Sequence, residues 1–470
     1  MPETTSHPRR RLRRLRVVAI LSVFSALLAF AASRSAIDRG PNPGPVVSLI
    51  LDHRGAEAEA LAQRELDRAE REEGPGSLRT SEAIDGVIQA ATASGDRASL
   101  PSNRRLAERA IAIKRRLLGS ADPEVARSLC TYAEMLWMVE DYRGELPLAE
   151  EALAIRIASF GPRDPRTAPS YYQVGEIRRM LGDYSAARRL HEQALSIWEA
   201  SPERDPLNIA MSLRYLGMIR WMTGDYAGAR ALLERSLAVS ERAAGPESDA
   251  VATSLNSLGS LALRMGRPGQ AMPLLERAQR IWEKALGPGS PSVARVLENR
   301  GLALVEAGDN EEARDLFERT LEIRTRAFGP DHYLVARSLA DLARLSARIG
   351  ETAAAEDLYR RALEIQKLDP RARGAEIAET LIDDARLALA MGDGARSLDL
   401  ALHAEGLARE NFLLTSRGLP ETEALRYETV RTTGLDVALS LLAPEGGAPA
   451  LKGAGVVSSV WDELIRSRAM

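Results

Sequence analysis

Apolar residues recur at helical spacing through most of this chain. In the stretch 210–245, Leu213, Leu216 and Ile219 fall on one face, Gly224-Asp225 interrupts, and Ala229, Leu232, Leu233, Ser236 and Leu237 resume the spacing. That pattern predicts two amphipathic helices joined by a tight turn. The same unit returns along the chain. Gly182-Asp183-Tyr184, Gly224-Asp225-Tyr226, Gly266-Arg267-Pro268, Gly308-Asp309-Asn310, Gly350-Glu351-Thr352 and Gly392-Asp393-Gly394 begin 42 residues apart. Ala126, Ala168, Ala210, Ala252, Ala294, Ala336 and Ala378 keep that step, as do Leu148, Leu190, Leu232, Leu274, Leu316, Leu358 and Leu400. Three markers holding one period predict an all-α stack of helical hairpins, because one such unit cannot bury its apolar face alone.

Each hairpin carries small residues where its helices should meet. Ala133, Gly175, Gly217, Gly259, Gly301, Ala343 and Ala385 mark one point of the first helix, and Ala152, Ala194, Ser236, Ala278 and Ala362 one point of the second. Glycine inside a helix costs about 1 kcal/mol relative to alanine, so its recurrence implies close packing that offsets the loss. Gly161-Pro162, Gly245-Pro246, Gly287-Pro288 and Gly329-Pro330 join successive hairpins, glycine ending one helix and proline preventing its continuation.

These residues resemble the tetratricopeptide repeat, through Leu255-x-x-Leu258-Gly259, the Gly-Asp-Tyr turns, Ala313-x-x-x-Phe317 and Ala355-x-x-x-Tyr359. The 42-residue length and links such as Gly329-Pro330-Asp331-His332 are similar to the kinesin-light-chain subtype. HEAT and armadillo arrays share the period but lack this turn. The resemblance covers roughly residues 82–412 and implies a right-handed α-α superhelix. Arg178 and Arg220 depart from it where the family usually has an aromatic, Arg300 replaces a core leucine, and the first unit, around 82–118, is irregular, as expected of a cap.

The N-terminus reads as an address. Arg9, Arg10, Arg11, Arg13, Arg14 and Arg16 precede an unbroken apolar or small run from Val17 to Ala32. At about 1.5 Å per residue the run is shorter than the roughly 30 Å hydrocarbon core, which suits a cleaved signal ending at Ala29-x-Ala31; the long basic lead suits an uncleaved anchor. Either way the body would cross to the non-cytoplasmic side, in the cell envelope, touching membrane only through residues 17–32. The expected organisation is therefore a signal peptide or anchor at 1–33, a Pro/Gly spacer with a lead-in helix at 34–80, about seven to eight repeats at 81–412, and a helical connector at 413–470.

Composition narrows the function. Basic and acidic side chains nearly balance, 63 against 66, and the net charge of −3 supplies no global field for nucleic acid. A single cysteine, Cys130, excludes an intramolecular disulfide, and five scattered histidines lack zinc-ligand spacing, so neither metal nor cofactor is expected. Catalysis has no candidate. Cys130 has no histidine placed in sequence to activate it, His191 and His332 fall at packing or link positions, Asp383-Asp384 diverge on a helix, and Gly446 to Gly455 lacks the Gly-Lys-Ser/Thr of a phosphate loop.

The resemblance also implies a partner-binding groove lined by first-helix positions 2, 5, 9, 12 and 13, counted with the small residue at 8. These are Cys130, Glu134, Trp137 and Met138; Tyr172, Glu176 and Met180; Met211, Arg214, Met218, Trp221 and Met222; then Asn256, Arg264, Arg295, Arg337, Arg344, Arg348 and Arg386. Exposed Trp and Met would make an adaptable apolar surface, and the arginines would grip carboxylates, so the expected partner is a protein or peptide with hydrophobic and acidic segments. The alternative is that Trp and Met pack between hairpins while the arginines pair with local acids. Finally, Gly418-Leu419-Pro420-Glu421 and Val460-Trp461-Asp462-Glu463-Leu464 resemble the connector of bacterial proteins in which such repeats precede a caspase-like CHAT domain. Two functions follow: an exported non-enzymatic interaction scaffold, or the sensor portion of a split or truncated peptidase of that kind.

Overall fold

The computed structural model describes residues 44–51, 54–94, 99–201, 205–369, 374–416, 419, 424, 426–427, 434–440 and 460. The basic and apolar segment at 9–32 and most of the connector lie outside them. Among the described residues every regular element is a helix, and none is long and apolar enough to cross a membrane. The chain divides into two compact units, residues 1–181, 186–216 and 235–250, and residues 182–185, 217–234 and 251–470.

In the first unit, α1 (Pro45–Leu51) and α2 (Gly55–Glu73) lead into α3 (Leu78–Ser94) and α4 (Leu100–Leu118). Val46, Ile50, Ala58 and Ala62 bury against Ala90 and Ala93 of α3, so hairpin packing begins before residue 81. The regular hairpins follow, α5 (Pro123–Met138) with α6 (Tyr142–Phe160), α7 (Ala168–Met180) with α8 (Tyr184–Ala200), and α9 (Pro206–Met222) with α10 (Tyr226–Ala244), the division between units falling within α9 and α10 and at the start of α8. The second unit contains α11 (Asp249–Arg264) and α12 (Pro268–Leu286), α13 (Pro291–Ala307) and α14 (Asn310–Phe328), α15 (Tyr333–Arg348) and α16 (Thr352–Leu368), α17 (Gly374–Ala390) and α18 (Gly394–Ser416), and the short α19 (Leu435–Ser440).

The small residues do what their spacing predicts. A Cβ added to Gly259 would stand 2.5 Å from Leu275 Cδ2, and one on Gly301 would stand 2.5 Å from Phe317 Cε1. Only hydrogen fits there. Turns close with glycine at positive φ, 90° at Gly308, and the aspartate that follows caps the second helix where it can: Asp225 accepts from the Gly228 N–H at 2.9 Å and Asp393 from the Arg396 N–H at 3.1 Å. At the first regular turn Glu140 takes the glycine's place and holds φ 60°. Links end in capping residues too. His332 caps α15, its Nδ1 accepting from the Leu334 N–H at 3.1 Å while its ring stacks on Phe328 and Tyr333.

The described part of the C-terminal segment packs within the second unit. Asn411 donates to the Tyr427 hydroxyl at 2.8 Å, Phe412 stacks on Tyr427, and the Gly434 N–H donates to the buried Glu405 carboxylate at 3.1 Å. Val437, Ala438 and Val460 join the core of α17 and α18, and the Arg426 main chain lies against the Gly224 turn.

Candidate functional site

The predicted groove positions all fall on first helices, in two sets. In the first unit, Trp137 on α5 is half-buried with its ring edge-on to Tyr142 at 5.2 Å, Glu134 is half-buried, and Cys130 and Met138 are buried. Tyr172 and Glu176, expected on an open wall, are buried instead. Tyr172 meets Trp198, His191 and Tyr215 at 5.3 to 6.0 Å, so aromatic residues of α8 and α9 cover it. Glu176 accepts from Arg179 at 3.0 Å on each oxygen, and His191 Nε2 lies 3.1 Å from its Oε1. Burial opposes its ionisation, but the Arg179 charge and the His191 hydrogen bond outweigh that and carry its pKa down to about 2. Arg214, half-buried, lies over the Tyr215 ring at 4.0 Å, and Met180 is half-buried. His191 occupies the repeat position of Leu233, Leu275, Phe317 and Tyr359, and packs on Gly175 as those residues pack on theirs.

In the second unit, Met218, Trp221 and Met222 cluster half-buried at the end of α9. Asn256 is buried and accepts from Asn299 Nδ2 at 3.0 Å, which also reaches Ser260 at 2.9 Å. Arg264, Arg295, Arg337, Arg348 and Arg386 are exposed, and Arg295 lies over the Trp282 ring at 4.9 Å. The arginine-rich stretch is not purely basic. Arg337 pairs with Glu298 at 2.6 Å, Arg344 with Asp341 at 3.0 Å and Asp383 at 2.8 Å, and Arg386 with Asp383 at 3.3 Å. The acids come from position 5 of α13 and position 6 of α15 and α17. Position 6 was absent from the sequence-derived groove, and position 5 was counted without Glu298. The neighbouring Asp384 turns away to Arg396 at 2.8 Å, so the Asp383-Asp384 pair diverges as expected.

A second row, which sequence reasoning missed, joins several hairpins to the next. Lys114, Arg156, Trp198, Ser240, Trp282, Arg324 and Gln366 stand 42 residues apart near the ends of second helices, each buried. Lys114 donates to Asp85 at 2.8 Å, Arg156 to Ser170 at 3.0 Å, Arg324 to Ser338 at 2.8 Å and Glu298 at 2.6 Å, and Gln366 to Thr380 at 3.1 Å. Their chemistry varies, so only their phase could have revealed them. No cluster of acids, histidine and cysteine suited to a metal ion occurs among the described residues.

Phased helical hairpins, closed by glycine turns and bolted by polar junctions, define a helical-repeat protein. The chain carries tetratricopeptide repeats: residues 146–200, 208–284, 264–326 and 292–367 match that family. Its fold is similar to a Rap protein complexed with Competence and Sporulation Factor, at 12% identity over 78% of this chain and 99% of that one, TM-score 0.51. The apo quorum sensor NprR from B. thuringiensis is similar at 11% identity, over 77% and 96%, TM-score 0.56. BtubC (BKLC) from P. vanneervenii aligns at 21% identity over 49% and 91%, TM-score 0.40. No curated protein matches the chain.

Proposed function

We propose that this chain is a non-enzymatic scaffold that holds a protein or peptide partner on the first-helix faces of its hairpins. The supporting observation is the side-chain set of the second unit: half-buried Met218, Trp221 and Met222, and exposed Arg337 and Arg386, each already paired with an acid. Thioether and indole surface suits apolar side chains, and exposed guanidinium edges suit carboxylates. Because Glu298 and Asp383 already offset part of that charge, the partner should match apolar and acidic residues in a set order rather than bind by bulk charge. A protein of similar fold, the Rap protein complexed with Competence and Sporulation Factor, supports this reading.

Arrays of peptides mixing apolar and acidic residues test this reading. Binding should fall about tenfold or more in Trp221→Ala with Met218→Ala, and weaken with salt; binding indifferent to both would remove it. Delivery across a membrane by residues 17–32 belongs to the same proposal, with the scaffold acting in the envelope. Fractionation and the N-terminal residue of the mature protein test it, and a product that stays with the cytoplasmic fraction and begins at Met1 contradicts it.

A further inference from the structure

Glu298 on α13 and Asp341 on α15 are both more than nine-tenths buried, 2% and 6% exposed. Arg324 donates to Glu298 Oε2 at 2.6 Å, and Arg344 donates to Asp341 Oδ1 at 3.0 Å. The other two oxygens receive no N–H or O–H. Glu298 Oε1 has the Arg337 Nε 2.6 Å away as an ion pair but accepts no hydrogen bond, and Asp341 Oδ2 has none either. The two carboxyl groups lie close enough to act on each other, and each leaves one buried oxygen without a donor. An ionised carboxylate carries no donor, so only a proton held between the two could satisfy those oxygens.

The surrounding charge points the same way. Arg324 from α14 and Arg337 and Arg344 from α15 face Glu298, Asp341 and Asp383, the last from α17; Glu376 and Glu379 of α17 act on Arg337, and the Tyr359 hydroxyl of α16 lies near Arg344. With Arg386, which pairs with Asp383 at 3.3 Å, four guanidinium groups therefore meet three nearer acids and two more distant ones. Two buried like charges in contact cannot both stay ionised cheaply.

We propose that Glu298 and Asp341 together hold one proton at the junction of the fifth and sixth regular hairpins, and that losing it weakens this junction and adds negative charge to the first-helix face. Asp341 carries the proton, since Glu298 has Arg324 and Arg337 to stabilise its charge. Burial first, and the Glu298 charge second, push the Asp341 pKa up to about 7, while Glu298 falls to about 2 despite burial because Arg324 and Arg337 face it. The sign follows. A carboxyl whose pKa rises on folding contributes stability in full below its unfolded value near 3.9 and loses it as pH climbs through the folded value. The contribution of Glu298 runs oppositely and is complete by about pH 5, so above that only Asp341 acts. The inference stands whether or not the face binds a partner.

The full chain, labelled with 13C at the aspartate carboxyl carbons, provides the test. One aspartate resonance should titrate near pH 7 and vanish in Asp341→Asn, whose amide can still donate to Glu298. The thermal midpoint of the wild type should fall between about pH 6 and about pH 8, with that slope reduced in Asp341→Asn and retained in Asp399→Asn, a control away from the pair. A spectrum in which every aspartate titrates below about pH 5, or a near-neutral resonance that survives Asp341→Asn, overturns the proposal.

Discussion

Glycine inside a helix means opposite things at two positions of this chain. At Gly301 an added methyl would stand 2.5 Å from the fully buried Phe317 ring, whereas at Gly86 it would meet nothing within 4 Å. Gly301→Ala should destabilise the protein by about 1–3 kcal/mol through overpacking. Gly86→Ala should stabilise it by about 0.5–1 kcal/mol through reduced freedom of the unfolded chain. Urea denaturation of the two variants checks the opposite signs. The close approach was legible because small residues recur in phase. Their partners were less so. The leucine row from Leu148 to Leu400 is half-buried at most positions, and the core is the next residue along, Ala149, His191, Leu233, Leu275, Phe317, Tyr359 and Ala401, a series too varied in chemistry to stand out as a motif.

Between neighbouring elements, the buried junction row decides how firmly one hairpin holds the next. Arg324 and Gln366 occupy equivalent positions but carry different loads. Arg324 neutralises the buried Glu298 and donates to Ser338, while Gln366 makes one neutral bond to Thr380. Removing one partner of a buried ion pair leaves an uncompensated charge, so Arg324→Leu should cost about 3–5 kcal/mol. Gln366→Leu should cost only about 1 kcal/mol, the usual net value of a neutral hydrogen bond. Hydrogen exchange should locate the Arg324→Leu loss in α13 to α16. Helical phase puts Arg337, Arg344 and Arg386 on first helices, but it cannot say that Glu298, Asp341 and Asp383 turn to meet them. That depends on how far one hairpin shifts against the next, which a single sequence does not state.

At the scale of the whole chain, the strict period implies that a unit can be removed without disturbing the rules that join the rest. Deleting residues 291–332 takes out 42 positions in phase and brings the Trp282 end of α12 to the start of α15. Arg337 then takes the repeat position of Arg295, which stacks on Trp282, and Asn256 stands where Glu298 had faced Asp341. Glu298 and Arg324 leave together, so that pair strands no buried charge. Because each repeat contacts mainly its neighbours, the shortened chain should fold with unchanged ellipticity per residue, whereas deleting 21 residues, about half a period, should expose apolar faces and lose cooperative unfolding. Asp341, freed of the Glu298 charge but still buried, should titrate at lower pH than in the full chain. That downward shift should appear in the in-phase deletion while helicity is kept. Equal loss of helicity in both deletions would mean that more than nearest-neighbour packing holds this array together.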